Sequence, residues 1–184
     1  MQLMIAFKRI IYTLFIIQIS LFSIATLAAE KSEMLFDDEN ISKKILQLKN
    51  IEGNQEAVDY SISLLNRLDL TPRQTIAILK IQESRYYELR DLSLALITAK
   101  RILYIASKND FENLEADAYK SVGIYHYLKG EAKEAVEAYN VSLTFYLSLD
   151  KPLKHANLYN NIGLAYIKWG DFQSAIDNLQ LAEN

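Results

Sequence analysis

Apolar residues recur every three or four positions along most of this chain, which is the pattern of amphipathic α-helices. One apolar stripe covers residues 41–48, and a break at Gly53 separates it from a second helix. Thr71 and Pro72 then supply an N-cap and a first-turn proline for a third helix. A fourth helix follows over residues 92–103. The sequence therefore predicts successive helices joined by short turns.

A spacing of forty residues organises the second half of the chain. Four residues are repeated at this distance: Tyr119, Gly123, Gly130 and Ala135 return as Tyr159, Gly163, Gly170 and Ala175. Further upstream, Glu83 and Arg90 occupy the glycine positions of the same register. Self-similarity at a period of about 20–50 residues is typical of stacked repeat units. The predicted units lie near residues 38–75, 76–115, 116–155 and 156–184, with turns between units around Asn109 and Asp150.

The repeated glycines have two expected roles. Gly123 and Gly163 fall inside predicted helices, where the missing side chain lets the partner helix approach closely. Gly130 and Gly170 fall at the predicted turn between the two helices of a unit. A positive φ costs glycine little, so these two residues favour a tight turn.

The repeated residues resemble those of the tetratricopeptide-repeat family. The last unit carries the fullest set of signature residues: Tyr159, Ile162, Gly163, Tyr166, Gly170, Phe172, Ala175, Leu179 and Ala182. The preceding unit departs at His126, where the family has a tyrosine. The resemblance implies an all-α fold, in which antiparallel helix pairs stack into a right-handed superhelix, or α-solenoid. It also implies a concave groove, lined by the first helix of each pair, that binds a peptide or protein.

Ten residues of the first helices are candidates for lining that groove by register: Lys80, Ser84, Tyr87, Lys120, Ile124, Tyr127, Asn157, Asn160, Leu164 and Lys168. Tyr and Asn side chains can hydrogen-bond an extended backbone, and lysines can pair with an acidic side chain or chain end. Exposed helix faces of soluble proteins also carry such residues without a ligand. The carboxylate clamp of chaperone-binding family members does not carry over, because Asn157 and Asn161 replace its basic residues.

Composition narrows the classes of function. The formal charge is −3, and residues 30–184 hold 18 bases against 23 acids, so we expect no nucleic-acid partner. The absence of cysteine excludes disulfides and cysteine-based metal or redox sites. His126 and His155 are expected to be structural, and acids such as Glu131 are expected on solvated helix faces. No catalytic motif is present, so we expect no enzymatic activity, no cofactor and no metal site.

Residues 1–29 have the composition of an export signal. Two cations, Lys8 and Arg9, precede an uncharged apolar run of 20 residues. Cleavage after this run would release a periplasmic or secreted protein. The run is also long enough to remain as an inner-membrane anchor, which would then be the expected membrane contact. Residues 30–40 are a predicted linker, and residues 41–184 are the predicted repeat domain.

Two functions fit these features. The first is a non-catalytic exported scaffold that binds peptides or proteins. The alternative is the extracytoplasmic sensor region of a bacterial membrane signalling protein, such as a diguanylate cyclase or a histidine kinase, because exported repeats of about forty residues resemble such regions. The last repeat stops at Asn184 inside its second helix, which would leave Ile176 and Leu179 uncovered. We therefore expect either a longer parent protein or a homodimer through the C-terminal helix.

Overall fold

The computed structural model describes residues 39–67 and 69–183, without the side chain of residue 67. Every regular element in these residues is an α-helix: α1 (39–49), α2 (Asn54–Arg67), α3 (Pro72–Glu88), α4 (Leu92–Lys108), α5 (Glu112–Lys129), α6 (Ala132–Ser148), α7 (Pro152–Trp169) and α8 (Phe172–Glu183). None of the described helices is long and apolar enough to cross a membrane. The predicted leader and most of the predicted linker lie outside the described residues, and residues 39 and 40 already belong to α1.

The described residues fall into two compact units that divide within α1. Residues 39–46 belong to the first unit, in which Lys43 pairs with Glu39 at 2.9 Å, one helical turn away. Residues 47–183 belong to the second unit, which holds the predicted repeats. The fold and the candidate site below are those of this second unit.

Helices α3 to α8 begin at intervals of twenty residues. Following α3 at Pro72, helices α4 to α8 begin at Leu92, Glu112, Ala132, Pro152 and Phe172. The pairs α3–α4, α5–α6 and α7–α8 therefore repeat every forty residues, which confirms the predicted period. The first helix of each pair begins four residues before the unit boundaries read from the sequence near 76, 116 and 156.

A capping box fixes the start of α3. The Thr71 hydroxyl accepts a hydrogen bond from the Gln74 N–H at 3.3 Å, and the Gln74 side chain accepts one from the Thr71 N–H at 2.9 Å. Pro72 occupies the first turn, where its missing N–H has no intrahelical partner to lose. The N-cap and first-turn proline predicted from the sequence are confirmed.

One residue in the left-handed conformation stands in each turn from α3 to α8. These residues are Arg90, Asp110, Gly130, Asp150 and Gly170, with φ between 51° and 90°. The next residue donates its N–H to a carbonyl five positions back, as Asp91 does to Tyr86 at 2.9 Å. This Schellman arrangement satisfies the last carbonyls of each helix. Turns within pairs and turns between pairs are thus built in the same way.

The core is a series of clusters that each join three consecutive helices. Ile76 and Leu79 of α3 pack with Ile102 of α4 and Ala118 of α5. The next cluster joins α4, α5 and α6, and the last one joins α5, α6 and α7 around Tyr139. Such a succession of local interfaces is the packing expected of a helical-repeat array.

Gly123 and Gly163 lie where the second helix of their pair comes closest. A Cβ placed on Gly123 would stand 2.5 Å from two ring carbons of Tyr139. A Cβ on Gly163 would stand 2.7 Å from Cγ of Leu179. Both distances are far below the roughly 3.5–4.0 Å of ordinary carbon contact. The predicted role of these two glycines in close approach is confirmed.

In the α3–α4 pair the larger side chain lies on the first helix and the small one on the second, the reverse of the later pairs. Glu83 occupies the glycine register, and Ala99 occupies the register of Tyr139 and Leu179. Both Glu83 and Ala99 are buried. The departure of this unit from the family pattern is therefore a compensated substitution.

Candidate binding surface

The predicted groove residues lie on the first helices of three pairs. Helix α3 carries Lys80, Ser84 and Tyr87, α5 carries Lys120, Ile124 and Tyr127, and α7 carries Asn157, Asn160, Leu164 and Lys168. Those on α3 and α7 are exposed, whereas those on α5 are half-buried. We name the side of α3, α5 and α7 that carries these residues the first-helix surface.

Lysines from three helices converge on Asp117. Lys80 of α3 lies 3.7 Å from its carboxylate, Lys120 of α5 lies 3.8 Å away and Lys154 of α7 lies 3.6 Å away. The Tyr146 hydroxyl on α6 donates a hydrogen bond to the same carboxylate. One negative charge therefore faces three positive charges. We name Lys80, Lys120, Lys154 and Asp117 the lysine cluster.

The pKa shifts in the lysine cluster reflect both burial and the interactions among its charges. Burial alone would raise the pKa of Asp117, but the Tyr146 hydroxyl and the three ammonium groups together lower it. Burial lowers the pKa of Lys120, and repulsion from Lys154 lowers it further, against the attraction of Asp117. A second anion bound beside Lys120 would relieve this repulsion.

A buried carboxyl group lies next to the lysine cluster. Glu83 Oε1 accepts a hydrogen bond from the Tyr125 hydroxyl at 3.0 Å, and the Tyr125 ring lies 6.4 Å from the ring of Tyr87. Burial raises the pKa of Glu83, although hydrogen bonds from Ser121 and Tyr125 and the charges of two nearby lysines oppose the rise. Burial also raises the pKa of Tyr125, so its hydroxyl keeps the proton that it donates.

Several predicted groove residues have partners within the protein. Lys168 Nζ donates to the Tyr127 carbonyl at 2.7 Å and lies 4.5 Å from the centroid of the Tyr127 ring. Ile124 packs against the core cluster of α5, α6 and α7, and the Ser84 hydroxyl donates to Glu88 at 3.4 Å. Ile124 therefore packs against the core, and Lys168 contributes to the packing of α7 against α5.

His126 stabilises the turn between α5 and α6. Its Nδ1 lies 2.5 Å from one oxygen of Glu131, and Lys129 lies 3.0 Å from the other. Hydrogen bonds from these two partners lower the pKa of Glu131. Its side chain is exposed to solvent, as expected, and is also paired. No group of three or more His, Cys, Asp or Glu in the described part of the chain is placed to hold a metal ion.

The structure corrects the expectation for Leu179. This side chain is half-buried and packs against Gly163, between α7 and α8. It is not uncovered, because the glycine leaves room for it. Ile176 is 50% exposed, as expected, and Phe172 and Leu181 are also exposed on α8.

Sequence reasoning missed the residues that connect the lysines. Lys80 and Lys120 share the forty-residue register, and Asp117 lies three residues before Lys120, a spacing that brings side chains together on a helix. That spacing was an available signal for Asp117. Lys154 reaches the cluster only because α7 packs beside α5 and α6, which no local pattern reveals. From the sequence alone, Glu83 is recognised only as a departure from glycine in the repeat register, and its buried hydrogen bond is not predicted.

The repeating helix pairs, their turns and their close-approach residues define the class of fold, which is that of tetratricopeptide-repeat-like helical arrays. Three solved structures are similar. RapI in its apo form matches 71% of this chain with a TM-score of 0.64 and 14% identity. BtubC (BKLC) from P. vanneervenii matches 71% with a TM-score of 0.63 and 20% identity. MamA of AMB-1 matches 82% of this chain and 96% of its own, with a TM-score of 0.56 and 13% identity.

These similarities concern the fold alone. The matched part is 48% of RapI and 55% of BtubC, so this chain spans about half the length of those two proteins. No protein-family model matches the chain, and no curated protein matches it significantly in sequence. Any statement about a ligand must therefore rest on this chain's own residues.

Proposed function

We propose that this helical array is a non-catalytic scaffold that binds an acidic, extended segment of a partner protein on its first-helix surface. The observation that carries the proposal is the lysine cluster, in which three ammonium groups from three helices lie within 3.8 Å of one carboxylate. Asp117 compensates one of the three charges, and the Glu83 carboxyl group near Lys80 and Lys120 is buried, which raises its pKa and opposes its ionisation. A ligand carboxylate would compensate a second, and such complementarity favours both encounter and specificity.

Tyrosine side chains next to the lysine cluster supply the second part of the contact. Tyr87 is 42% exposed, and its ring is supported by Tyr125, which the bond to Glu83 holds in place. A tyrosine held in this way offers apolar area and a hydroxyl while losing little side-chain entropy on binding. A peptide along α3 and α5 would place its backbone against Tyr87 and an acidic side chain at Lys80.

A labelled oligo-glutamate peptide tests the proposal by fluorescence anisotropy. We expect binding at low salt that weakens as salt is added, and no binding of an oligo-lysine peptide. Lys80→Ala and Lys154→Ala should each weaken binding by up to about fivefold, because a partly exposed ion pair contributes at most about 1 kcal/mol. Lys133→Ala on the exposed side of α6 is the matched control and should bind like the wild type. Absent binding, or equal losses in the control, would reject the acidic ligand.

Asp117→Asn separates the ligand role of the cluster from its structural role. The substitution leaves three lysines without their shared carboxylate, so we expect tighter binding of the oligo-glutamate peptide. It also removes the charged acceptor of Tyr146, so we expect a lower free energy of unfolding. Weaker binding by a folded Asp117→Asn protein would show that Asp117 contacts the ligand or that the ligand binds elsewhere.

We also propose that the protein is exported, on the strength of the predicted leader. N-terminal sequencing of protein recovered from cell fractions tests this. A start near Ala29 or Glu30 in the periplasm or medium indicates cleavage, and an intact N-terminus in the membrane fraction indicates an anchor. An intact N-terminus in the cytosol would overturn the proposal.

A sensor region of a membrane signalling protein is the second candidate, and it would use the same surface. It is supported by the apolar run of the leader, which is long enough to remain in the membrane. The genomic sequence after codon 184 distinguishes the two candidates. An open frame with a second apolar span and an output domain favours the sensor, and a stop codon excludes it for this chain.

A homodimer through α8 is a separate proposal. It is supported by the exposed apolar residues of that helix: Phe172, Ile176 and Leu181. Because Leu179 packs inside the α7–α8 pair, Ile176→Lys is the informative substitution. Sedimentation should show a wild-type dimer that Ile176→Lys converts to monomer, and a dimer that survives this substitution would exclude α8 as the interface.

A further inference from the structure

Glu83 is a carboxyl group on α3 that lies inside the helix array, facing α5. It is 8% exposed, and it is the one charged residue that is buried in the described part of the chain. Its carboxylate accepts a hydrogen bond from the Tyr125 hydroxyl at 3.0 Å and another from the Ser121 side chain, both on α5. In the later pairs this register holds Gly123 and Gly163. A group that can change its charge therefore replaces a glycine of the repeat.

The positive charges that act on Glu83 belong to the lysine cluster. Lys80 lies three residues before Glu83, one turn away on α3, and Lys120 is the neighbour of Ser121 on α5. The charges of both lysines favour the ionised form of Glu83. The same two lysines lie 3.7 and 3.8 Å from the carboxylate of Asp117. Glu83 and Asp117 therefore share the same positive charges.

Of these two acids, Glu83 is the one whose charge is easily changed. Burial raises its pKa, although the hydrogen bonds from Ser121 and Tyr125 and the two lysines oppose the rise. Burial would also raise the pKa of Asp117, but its partners lower it, so Asp117 stays ionised. Helix α4 carries Ala99 at the register that faces Glu83 and contains no acidic residue, and its bases are exposed: Lys100, Arg101 and Lys108. Protonation of Glu83 therefore changes the charge beside the lysines while Asp117 keeps its own.

We propose that Glu83 controls the affinity of the first-helix surface for an acidic segment through its own protonation. Protonated Glu83 leaves Lys80 and Lys120 with Asp117 alone, so that positive charge is available for the ligand. Ionised Glu83 supplies a second negative charge to the same lysines and repels the ligand. The carboxyl group is thus an internal competitor of the acidic segment. This inference rests on the proposed function, because it concerns the same surface and the same class of ligand.

The sign of the pH dependence follows from the linkage between binding and protonation. Because the acidic ligand binds the protonated form better, its affinity is highest below the pKa of Glu83 and falls as the pH rises through that pKa. Binding at a pH near this pKa should therefore be accompanied by proton uptake. A partly exposed ion pair changes affinity by at most about fivefold, so we expect a loss of about threefold to fivefold as this one carboxyl group ionises.

A labelled oligo-cysteic acid peptide is the probe for this test, because its sulfonates stay ionised while the protein titrates. Its affinity is measured by fluorescence anisotropy from about pH 4.5 to about pH 8.5 at constant ionic strength. Over this range the wild type should lose about threefold to fivefold more affinity than Glu83→Gln. Glutamine still accepts the hydrogen bond from Tyr125 but carries no charge, so the variant isolates the ionisation of Glu83.

Further variants separate Glu83 from the other groups that titrate in this range. Glu134→Gln removes an exposed acid of α6, and His126→Gln and His155→Gln remove the two histidines of the chain. These three variants are the controls and should keep the pH dependence of the wild type. Tyr125→Phe removes a hydrogen bond that favours ionised Glu83, so it should move the loss of affinity to higher pH.

Calorimetry in two buffers of different ionisation enthalpy counts the protons directly. The wild type should take up protons when it binds the sulfonate peptide, and Glu83→Gln should take up measurably fewer. No binding of the peptide at any pH would reject the acidic ligand itself, and this inference with it. Binding with the same pH dependence in the wild type and in Glu83→Gln would overturn the proton linkage and leave the proposed function standing. A pH dependence that disappears in His155→Gln instead would overturn the linkage to Glu83 as well.

Discussion

Replacing Gly123 by alanine tests the close approach of α5 and α6. The new methyl group would stand 2.5 Å from two ring carbons of Tyr139 and 3.0 Å from a third. That is roughly 1 Å inside ordinary contact for the nearer pair. Tyr139 is 2% exposed and lies in the cluster that joins α5, α6 and α7, so its ring has no open space to enter. The two helices must separate, or the cluster must repack.

Two opposing effects set the size of the change. Removing glycine from a helix interior favours folding by about 1 kcal/mol. Forcing a methyl group into a filled core costs about 1–3 kcal/mol, and contact with a buried ring belongs at the upper end. We therefore expect Gly123→Ala to lower the free energy of unfolding by about 2 kcal/mol, or the melting temperature by roughly 4–8 °C for a domain of this size.

Urea unfolding followed by far-ultraviolet circular dichroism measures this difference. Asn160→Ala is the matched control, because residue 160 is exposed on α7 and alanine there improves only the helix propensity. We expect that control to gain about 0.5 kcal/mol of stability. Opposite signs for the two substitutions would assign the loss to the contact with Tyr139 rather than to alanine itself.

A double-mutant cycle with Tyr139→Ala identifies the clash directly. Once the ring is gone, Gly123→Ala should stabilise by about 1 kcal/mol instead of destabilising. The α3–α4 pair already has this arrangement, with a side chain at Glu83 and a small residue at Ala99. The reasoning is refuted if Gly123→Ala is at least as stable as wild type, or if its cost persists without the ring.

Three further comparisons test the turns, the buried carboxyl group and α8. Arg90→Gly should raise the free energy of unfolding by about 1 kcal/mol and Gly130→Ala should lower it by a similar amount, because both residues have positive φ; equal signs in urea unfolding would contradict this. Burial raises the pKa of Glu83 above its usual 4.5, so its contribution to stability is fully present below the unfolded pKa and is lost as pH rises through the folded pKa. Glu83→Gln should therefore be more stable than wild type near neutral pH, and this advantage should fade below about pH 4.5 in thermal unfolding. An advantage of the same size at every pH would contradict the raised pKa. Leu179→Lys should destabilise the α7–α8 pair by about 2 kcal/mol or more, while Ile176→Lys should change stability in dilute solution by less than about 0.5 kcal/mol; similar losses would contradict the placement of Leu179.

The sequence predicts those parts of the fold that depend on short-range geometry. The capping box at Thr71 needs residues three apart, and the turn at Gly130 needs one residue that accepts positive φ. Close approach at Gly123 is also visible, because the forty-residue register aligns it with Gly163. The turn and the close approach both recur forty residues later, and this repetition distinguishes them from chance.

The binding surface is less predictable, because it depends on which helices lie side by side. Register alone aligns Lys80 with Lys120, but the contact of Lys154 with Asp117 requires the packing of α7 against the earlier pair. The same limit explains why Leu179 was expected to be uncovered. Its spacing along α8 fits an exposed position and a buried contact equally well. Only the position of Gly163 on the facing helix decides between the two.

The uniform turns have a consequence for how the array can change in length. Because every helix from α3 onward begins twenty residues after the last and follows the same left-handed turn, no junction is special as a boundary between repeats. Adding or deleting forty residues would keep α3-like helices on the first-helix surface and α4-like helices on the opposite side. Adding or deleting twenty would exchange the two surfaces for every helix beyond the change. The chain can therefore be lengthened in steps of two helices without loss of its binding side, whereas a step of one helix would redirect all later lysines and tyrosines to the opposite side.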